Sequence, residues 1–186
     1  MSREAILESA AQVFRQKGFH GASMADIAEA VQLQKASLYH HFSSKQDILL
    51  ELLDKALELV TEGMLQVMAQ DVPAEKKLRL AMRSYLKTLS EQGDLVSVML
   101  LEHRSLDPEY RSRHIPNRDR FEKMWRDLIQ QGVDAGVFAC DNIPLTVRGL
   151  MGVMNWTITW YRPDGKLSID EISDDFSSMF MNGLKK

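Results

Sequence analysis

An all-α fold, with a small N-terminal helix-turn-helix domain ahead of a larger helical one, is predicted by three observations. Apolar residues recur at spacings of three and four along the chain, and no stretch alternates persistently enough to suggest a strand. Residues that cap helices stand where these periods begin: Ser23, Ser43 or Ser44, Asp141 or Asn142, and Ser168. Two short helical periods near residues 23 and 35 are separated by only three residues, which is the helix-turn-helix arrangement.

The first helix is expected from Arg3 to Lys17, with Ile6, Ala10, Val13 and Phe14 on one face. Gly18 follows, where a C-terminal cap needs positive φ, and Phe19 returns to the core. In "SMADIAEAV", Ser23 and Asp26 have capping-box spacing, and Ile27, Ala28 and Val31 face inward. Gln32, Leu33 and Gln34 interrupt the period. A third helix, Lys35 to Phe42, buries Leu38 and Phe42, one turn apart. A long fourth helix starts at "SSKQ" and carries Ile48, Leu49, Leu52, Leu53, Ala56, Leu57, Val60 and Met64 as its stripe. The domains are therefore expected to span 1–45 and 46–186.

In the second domain, Pro73 opens a helix reaching about Gln92, with Leu78, Ala81, Met82, Tyr85, Leu86 and Leu89 as its stripe, and Gly93 ends it before the apolar helix "DLVSVMLLEH". "RSLDPEYRSRHIPNR" reads as an irregular connection. Phe121, Met124, Trp125, Leu128, Ile129 and Val133 then mark a long helix that closes at "DAGVF". The next helix runs to Tyr161, "RPDGK" is a turn, and Ser168 with Glu171 forms a capping box for the last helix, ending near Gly183.

A hydrophobic content of 45% can supply a substantial core. With 23 Lys plus Arg against 26 Asp plus Glu, the chain is no indiscriminate coat for nucleic acid, although a local basic site remains open to it. Cys140 is the single cysteine, so no internal disulfide can form, as suits a reducing compartment. With neither a signal peptide nor a membrane-length apolar run, a soluble cytoplasmic protein is expected. The histidines at 20, 40, 41, 103 and 114 lack metal-ligand spacing, and no phosphate loop or nucleophile elbow appears. No catalytic residue, metal or cofactor is predicted, and the chain is not expected to be an enzyme.

"VQLQKASLYHHFSSKQ", Val31–Gln46, is free of acidic residues in a chain that is acidic on balance. With the segments around it, "SMADIAEAVQLQKASLYHHFSSKQDILLELL", it resembles the DNA-binding segment of the TetR family of transcriptional regulators. The matching pieces are Ile27-Ala28, Leu33 in the turn, "SLYHHF", and Lys45 just before "QDIL". The order of the later helices is similar too. Two positions depart from the family pattern: Gln32 stands where Gly is usual, at a site favouring positive φ, and Gln34 where a small N-cap is usual.

The resemblance implies a homodimer whose last two helices form a four-helix bundle. It also implies a ligand pocket in the middle helices and two recognition helices docked on double-stranded operator DNA. A carboxylate between flanking phosphates would oppose binding, which gives the acid-free window a reason. Ser23, Ser37, Tyr39 and His41 can donate to phosphate or sugar, and Lys45 adds its charge at a helix start. Lys35 can reach guanine, Ala36 and Tyr39 a thymine methyl, His40 a base or phosphate, and Gln34 an adenine.

For the dimer, Gly149 and Gly152 would allow close helix approach, and Met151, Met154, Ile158, Phe176, Met179 and Phe180 supply apolar surface. "NWTITWYRPDG" further resembles a subgroup of these regulators that responds to acyl-CoA thioesters or related lipid catabolites. Candidate pocket residues are Met64, Tyr85, Met99, Phe121 and Trp125, with His103, Arg104 and Asn155 as polar members. From His103 to Arg126 seven basic residues face four acidic ones, 7 − 4 = +3, which would suit a phosphate-bearing inducer. The expected protein is a ligand-responsive repressor released from its operator by a small hydrophobic or acyl-CoA-like inducer, with no membrane association. The alternative is a helical carrier or enzyme whose first helices do not bind DNA.

Overall fold

The computed structural model describes residues 2–184. Its helices are α1 (Arg3–Gly21), α2 (Met24–Ala30), α3 (Lys35–His41), α4 (Lys45–Met68), α5 (Ala74–Glu91), α6 (Gly93–Glu102), α7 (Pro108–Asp134), α8 (Ile143–Trp160) and α9 (Ile169–Leu184), with a 3-10 turn at His103–Ser105. The all-α prediction holds for the described residues. They form two compact units, one of the described residues up to Glu58 with Gln92–Arg118, the other of Leu59–Glu91 with the described residues from Asp119 onward.

In the first unit α1 packs against α2 and α6, and α2 against α3. Gly18 adopts φ 70°, as the cap position demanded, but the chain resumes one more helical turn after it, to Gly21. The break frees the amide of Phe19, and the Glu102 carboxylate accepts from it at 3.1 Å. Ser105 Oγ in turn donates to Glu102 at 2.8 Å. Ile6, Phe14, Phe19, Ile27, Leu38, Phe42 and Ile48 are all buried.

In the second unit α5 packs on α9 and α8. Its buried stripe is the one the sequence predicts: Leu78, Ala81, Met82, Tyr85, Leu86 and Leu89. Arg79 donates to Ser177 Oγ at 3.0 Å and Arg83 to Asp170 Oδ1 at 2.8 Å, fixing α9 along α5. Asn142 caps α8 by accepting from the Leu145 amide, and the Ser168–Glu171 capping box closes as expected.

Some element boundaries differ from expectation. The segment predicted as an irregular connection is helical from Pro108 onward. Pro108 occupies the first helical position, where a missing N–H is harmless, and Pro116 is carried inside the same helix at the cost of one backbone hydrogen bond. Gly93 likewise opens α6 rather than only ending α5.

Candidate nucleic-acid interface and candidate ligand site

The first unit builds its exposed short helix from both ends. Ser23 caps α2: its Oγ accepts from the Asp26 amide at 3.2 Å and donates to the Asp26 carboxylate at 2.6 Å. Asp26 also takes a hydrogen bond from Lys17 at 2.5 Å, and this, followed by the Ser23 contacts, holds its carboxyl well below the usual range. Ser23 therefore serves α2 first.

The turn then bends through Gln32 at φ 54°, the only non-glycine residue with positive φ among those described. A side chain there carries a strain that glycine would lack. The Leu33 amide donates to Ala28 O at 2.9 Å, closing the turn. Gln34 leads into α3 with extended backbone and makes no side-chain cap, as expected of a poor capping residue.

Leu38 and Phe42 are fully buried, leaving Gln34, Lys35, Ala36, Tyr39 and His40 exposed and Ser37 and His41 half-buried. Lys35 Nζ lies 6.0 Å from the Tyr39 ring centroid. The last three side chains of the set, Tyr39, His40 and His41, also line an open cleft of about 540 Å³ shared with Asp47, Glu51 and Asp54. The acid-free character thus belongs to the start of α3, not to its whole circumference.

Lys45 is more deeply committed than its sequence position suggests. Its Nζ donates to the carbonyls of Phe19 and Ala22, both at 2.6 Å, and stands 4.3 Å from the Phe19 ring centroid. It ties the end of α1 to the beginning of α4. Opposite it, Arg3 ties the start of α1 to the end of α3. Its guanidinium is 4.0 Å from the Phe42 ring centroid, donates to His41 O, and holds both Glu51 oxygens, with Nε at 2.9 and 3.1 Å. Sequence reasoning missed Arg3, because nothing local pairs residues 48 positions apart.

The eight candidate pocket residues divide between the units. Met99, His103 and Arg104 belong to the first: Met99 is buried, Arg104 exposed, and His103 half-buried with its Nδ1 3.1 Å from Leu100 O. Burial, aided by the positive charge of Arg104 and Arg118, pushes the His103 imidazole below its ordinary value. Met64, Tyr85, Phe121, Trp125 and Asn155 belong to the second unit. There Tyr85 and Phe121 stack at 5.9 Å between centroids, and Trp125 meets them edge-on at 6.0 and 6.4 Å. The Tyr85 hydroxyl donates to Asn155 Oδ1 at 2.7 Å, and burial raises its phenol well above the ordinary value, so it stays a donor. Trp125 Nε1 is buried without an acceptor among the described residues.

The basic segment between His103 and Arg126 is partly engaged internally. Arg111 donates to Arg104 O and Leu106 O, and Lys123 pairs with Asp127 at 2.6 Å.

On α8, Gly149 and Gly152 are exposed, together with Leu145, Trp156 and Trp160 at helical spacing. Those three large side chains were not singled out from the sequence, although both tryptophans lie in the stretch quoted there. Met179 is exposed as well, and Met151, Ile158, Phe176 and Phe180 are half-buried. Met154 is fully buried in its own unit and supplies no surface. Cys140 Sγ lies 3.1 Å from Thr146 Oγ1. Among the described residues no cluster of His, Cys, Asp and Glu could hold a metal, and no helix is long and apolar enough to cross a membrane.

Comparison with known proteins is consistent along the chain. The repressor KstR2 of Mycobacterium tuberculosis is 28% identical over 99% of this chain and 93% of its own. The crystal structure of PfmR from Thermus thermophilus is 34% identical, covers 97% of this chain and 99% of that one, and superposes with a TM-score of 0.88. The structure of AibR in complex with isovaleryl coenzyme A and operator DNA is 28% identical over 95% of this chain and 96% of that one, with a TM-score of 0.87. Residues 6–52 match the bacterial regulatory proteins of the tetR family, and residues 71–184 the tetracyclin repressor-like C-terminal domain. The chain belongs to the TetR family of bacterial transcriptional regulators.

Proposed function

We propose that the protein is a cytoplasmic, homodimeric repressor that leaves its operator when a small hydrophobic or acyl-CoA-type inducer binds, and that it catalyses no reaction. Residues 1–45 bind DNA and residues 46–186 hold the inducer and the dimer contacts. The observation that carries this reading is α3 itself: a short helix held at its end by Arg3 on His41 O, buried through Leu38, with an acid-free and exposed first turn. Such a helix can enter a major groove, with Lys35, Ala36 and Gln34 toward base edges and Ser37, Tyr39, His40, His41, Ser23 and the remaining Lys45 proton toward the backbone.

The similarity to AibR, solved with isovaleryl coenzyme A and operator DNA, supports both halves of the proposal. In the second unit the aromatic group of Tyr85, Phe121 and Trp125, with Met64 and Asn155, is the candidate inducer contact. Met99, His103 and Arg104, of the first unit, are proposed separately as inducer contacts. The exposed face of α8, with Gly149, Gly152, Trp156 and Met151, and Ile158, Phe176, Met179 and Phe180 beside it, is the candidate dimer contact. Because α4 is one helix from Lys45 to Met68, a displacement of its later turns reaches the turn that Lys45 anchors. Two recognition helices must match grooves about 34–36 Å apart or a multiple of that. A shift of a few ångströms therefore weakens binding, and inducer and DNA must oppose each other reciprocally.

Fluorescence anisotropy with DNA from upstream of the protein's own gene tests this reading. Saturable, sequence-selective binding that isovaleryl coenzyme A or a longer acyl-CoA reverses is expected. Weak association indifferent to sequence would favour a carrier or enzyme instead.

A further inference from the structure

Two neutral side chains in the second unit hold donors that the protein itself does not use. Trp125 is fully buried, and its indole N–H meets no acceptor among the described residues. Native interiors rarely leave such a group unpaired, because the lost hydrogen bond to water is not recovered. Next to it, the Tyr85 ring lies 6.0 Å away edge-on, and the Tyr85 hydroxyl points its proton at Asn155 Oδ1, 2.7 Å away. That bond uses the amide oxygen, so Asn155 keeps both of its N–H donors. Phe121 closes the group, stacked on Tyr85.

The group is thus rich in donors, uncharged and walled by aromatic rings. A carboxylate placed against these four side chains would be desolvated with no cation among them. A hydroxyl would bring another donor to a place that already has too many. An oxygen that only accepts, carries no formal charge and sits on apolar carbon satisfies both conditions. A carbonyl is the strongest such acceptor.

We propose, resting on the reading of this unit as the inducer-binding part, that Trp125 Nε1–H and the Asn155 amide form a carbonyl-recognition subsite for the inducer. Tyr85 orients Asn155 through its hydroxyl, and Phe121 and Tyr85 supply the apolar walls. Acyl thioesters and ring ketones both present such an oxygen, and matched pairs of compounds distinguish them.

The test is titration calorimetry on the full chain with two pairs. One is isovaleryl coenzyme A against its S-alkyl thioether, which lacks only the oxygen. The other is a fused bicyclic ketone against the same skeleton without oxygen. The wild-type protein should prefer the carbonyl member of one pair about tenfold, the size of one buried hydrogen bond, and the pair that shows it identifies the source. Trp125→Phe, which keeps an aromatic ring and removes the N–H, should bring that preference below about threefold. Should circular dichroism show that this variant is unfolded, Asn155→Leu takes its place with the same expectation. In ¹⁵N-indole spectra, the resonance absent from Trp125→Phe should move downfield with the carbonyl compound and stay put with its oxygen-free partner. No preference in either pair, or a preference that survives the substitution, overturns the subsite. Operator binding by the ligand-free protein is measured in parallel: if it persists when the preference is missing, the subsite fails and the regulator reading stands. If operator binding is itself absent, that reading fails on its own account.

Discussion

Lys45 Nζ donates to two carbonyls left open where α1 breaks, and an ammonium has a third proton to offer. Its loss therefore acts twice. Lys45→Ala should lower unfolding stability by about 1–2 kcal/mol, as expected when a charged hydrogen-bond donor is removed from part-buried acceptors, and should weaken DNA binding as well. Lys35→Ala, on an exposed turn, should leave urea unfolding unchanged and flatten the dependence of log K on log salt by about one unit, one phosphate or base contact fewer. Asp26 offers a pH test. Its carboxyl titrates below its unfolded value because Lys17 first, and Ser23 next, favour the ionised form. Stability from that source is complete above the unfolded carboxylate value and is lost as pH falls through the folded one. The difference in denaturation midpoint between wild type and Asp26→Asn should thus be flat near neutrality and shrink below about pH 4. The Ser23–Asp26 box was readable from spacing alone, since both partners lie three residues apart. The Lys45 contacts were not, because a position at a helix start says nothing about which distant carbonyls it will meet.

At the level of the element, the turn before α3 concentrates the departures from the family pattern. Gln32 takes the positive φ that the turn requires, so the geometry survives the absence of glycine and the strain resides in one residue. Gln32→Gly should raise stability by about 0.5–1 kcal/mol, the left-handed penalty less the entropy that glycine adds to the unfolded chain. Denaturant midpoints measure it directly. Caps and apolar stripes were legible for most helices because both are local signals: the Gly18 break, the α5 stripe, the Asn142 cap and the Ser168–Glu171 box all stand where periodicity put them. The start of α7 was not legible, since Arg-rich sequence with Pro108 and Pro116 carries turn signals that a long helix overrides. Which faces meet was also hidden. Arg3 and Glu51 are brought together by the packing of α1, α3 and α4, and Met154 points inward although its neighbours Gly152 and Trp156 are exposed.

For the whole molecule, the account requires two copies on one duplex. Leu145, Trp156 and Trp160 on α8, 63%, 66% and 43% exposed, with Gly149 and Gly152 between them, form an apolar strip that a single chain leaves in water. Trp156→Asp should shift sedimentation at micromolar concentration from dimer to monomer and abolish operator affinity, without loss of helical circular dichroism. The most direct measurement of the central claim is a hydroxyl-radical footprint of the full chain on its own upstream DNA at physiological salt. The account predicts two equivalent protected tracts related by two-fold symmetry, their centres a whole number of helical turns apart, that fade together as inducer is added. Protection without symmetry or sequence preference, unchanged by any acyl-CoA or ketone, would contradict it.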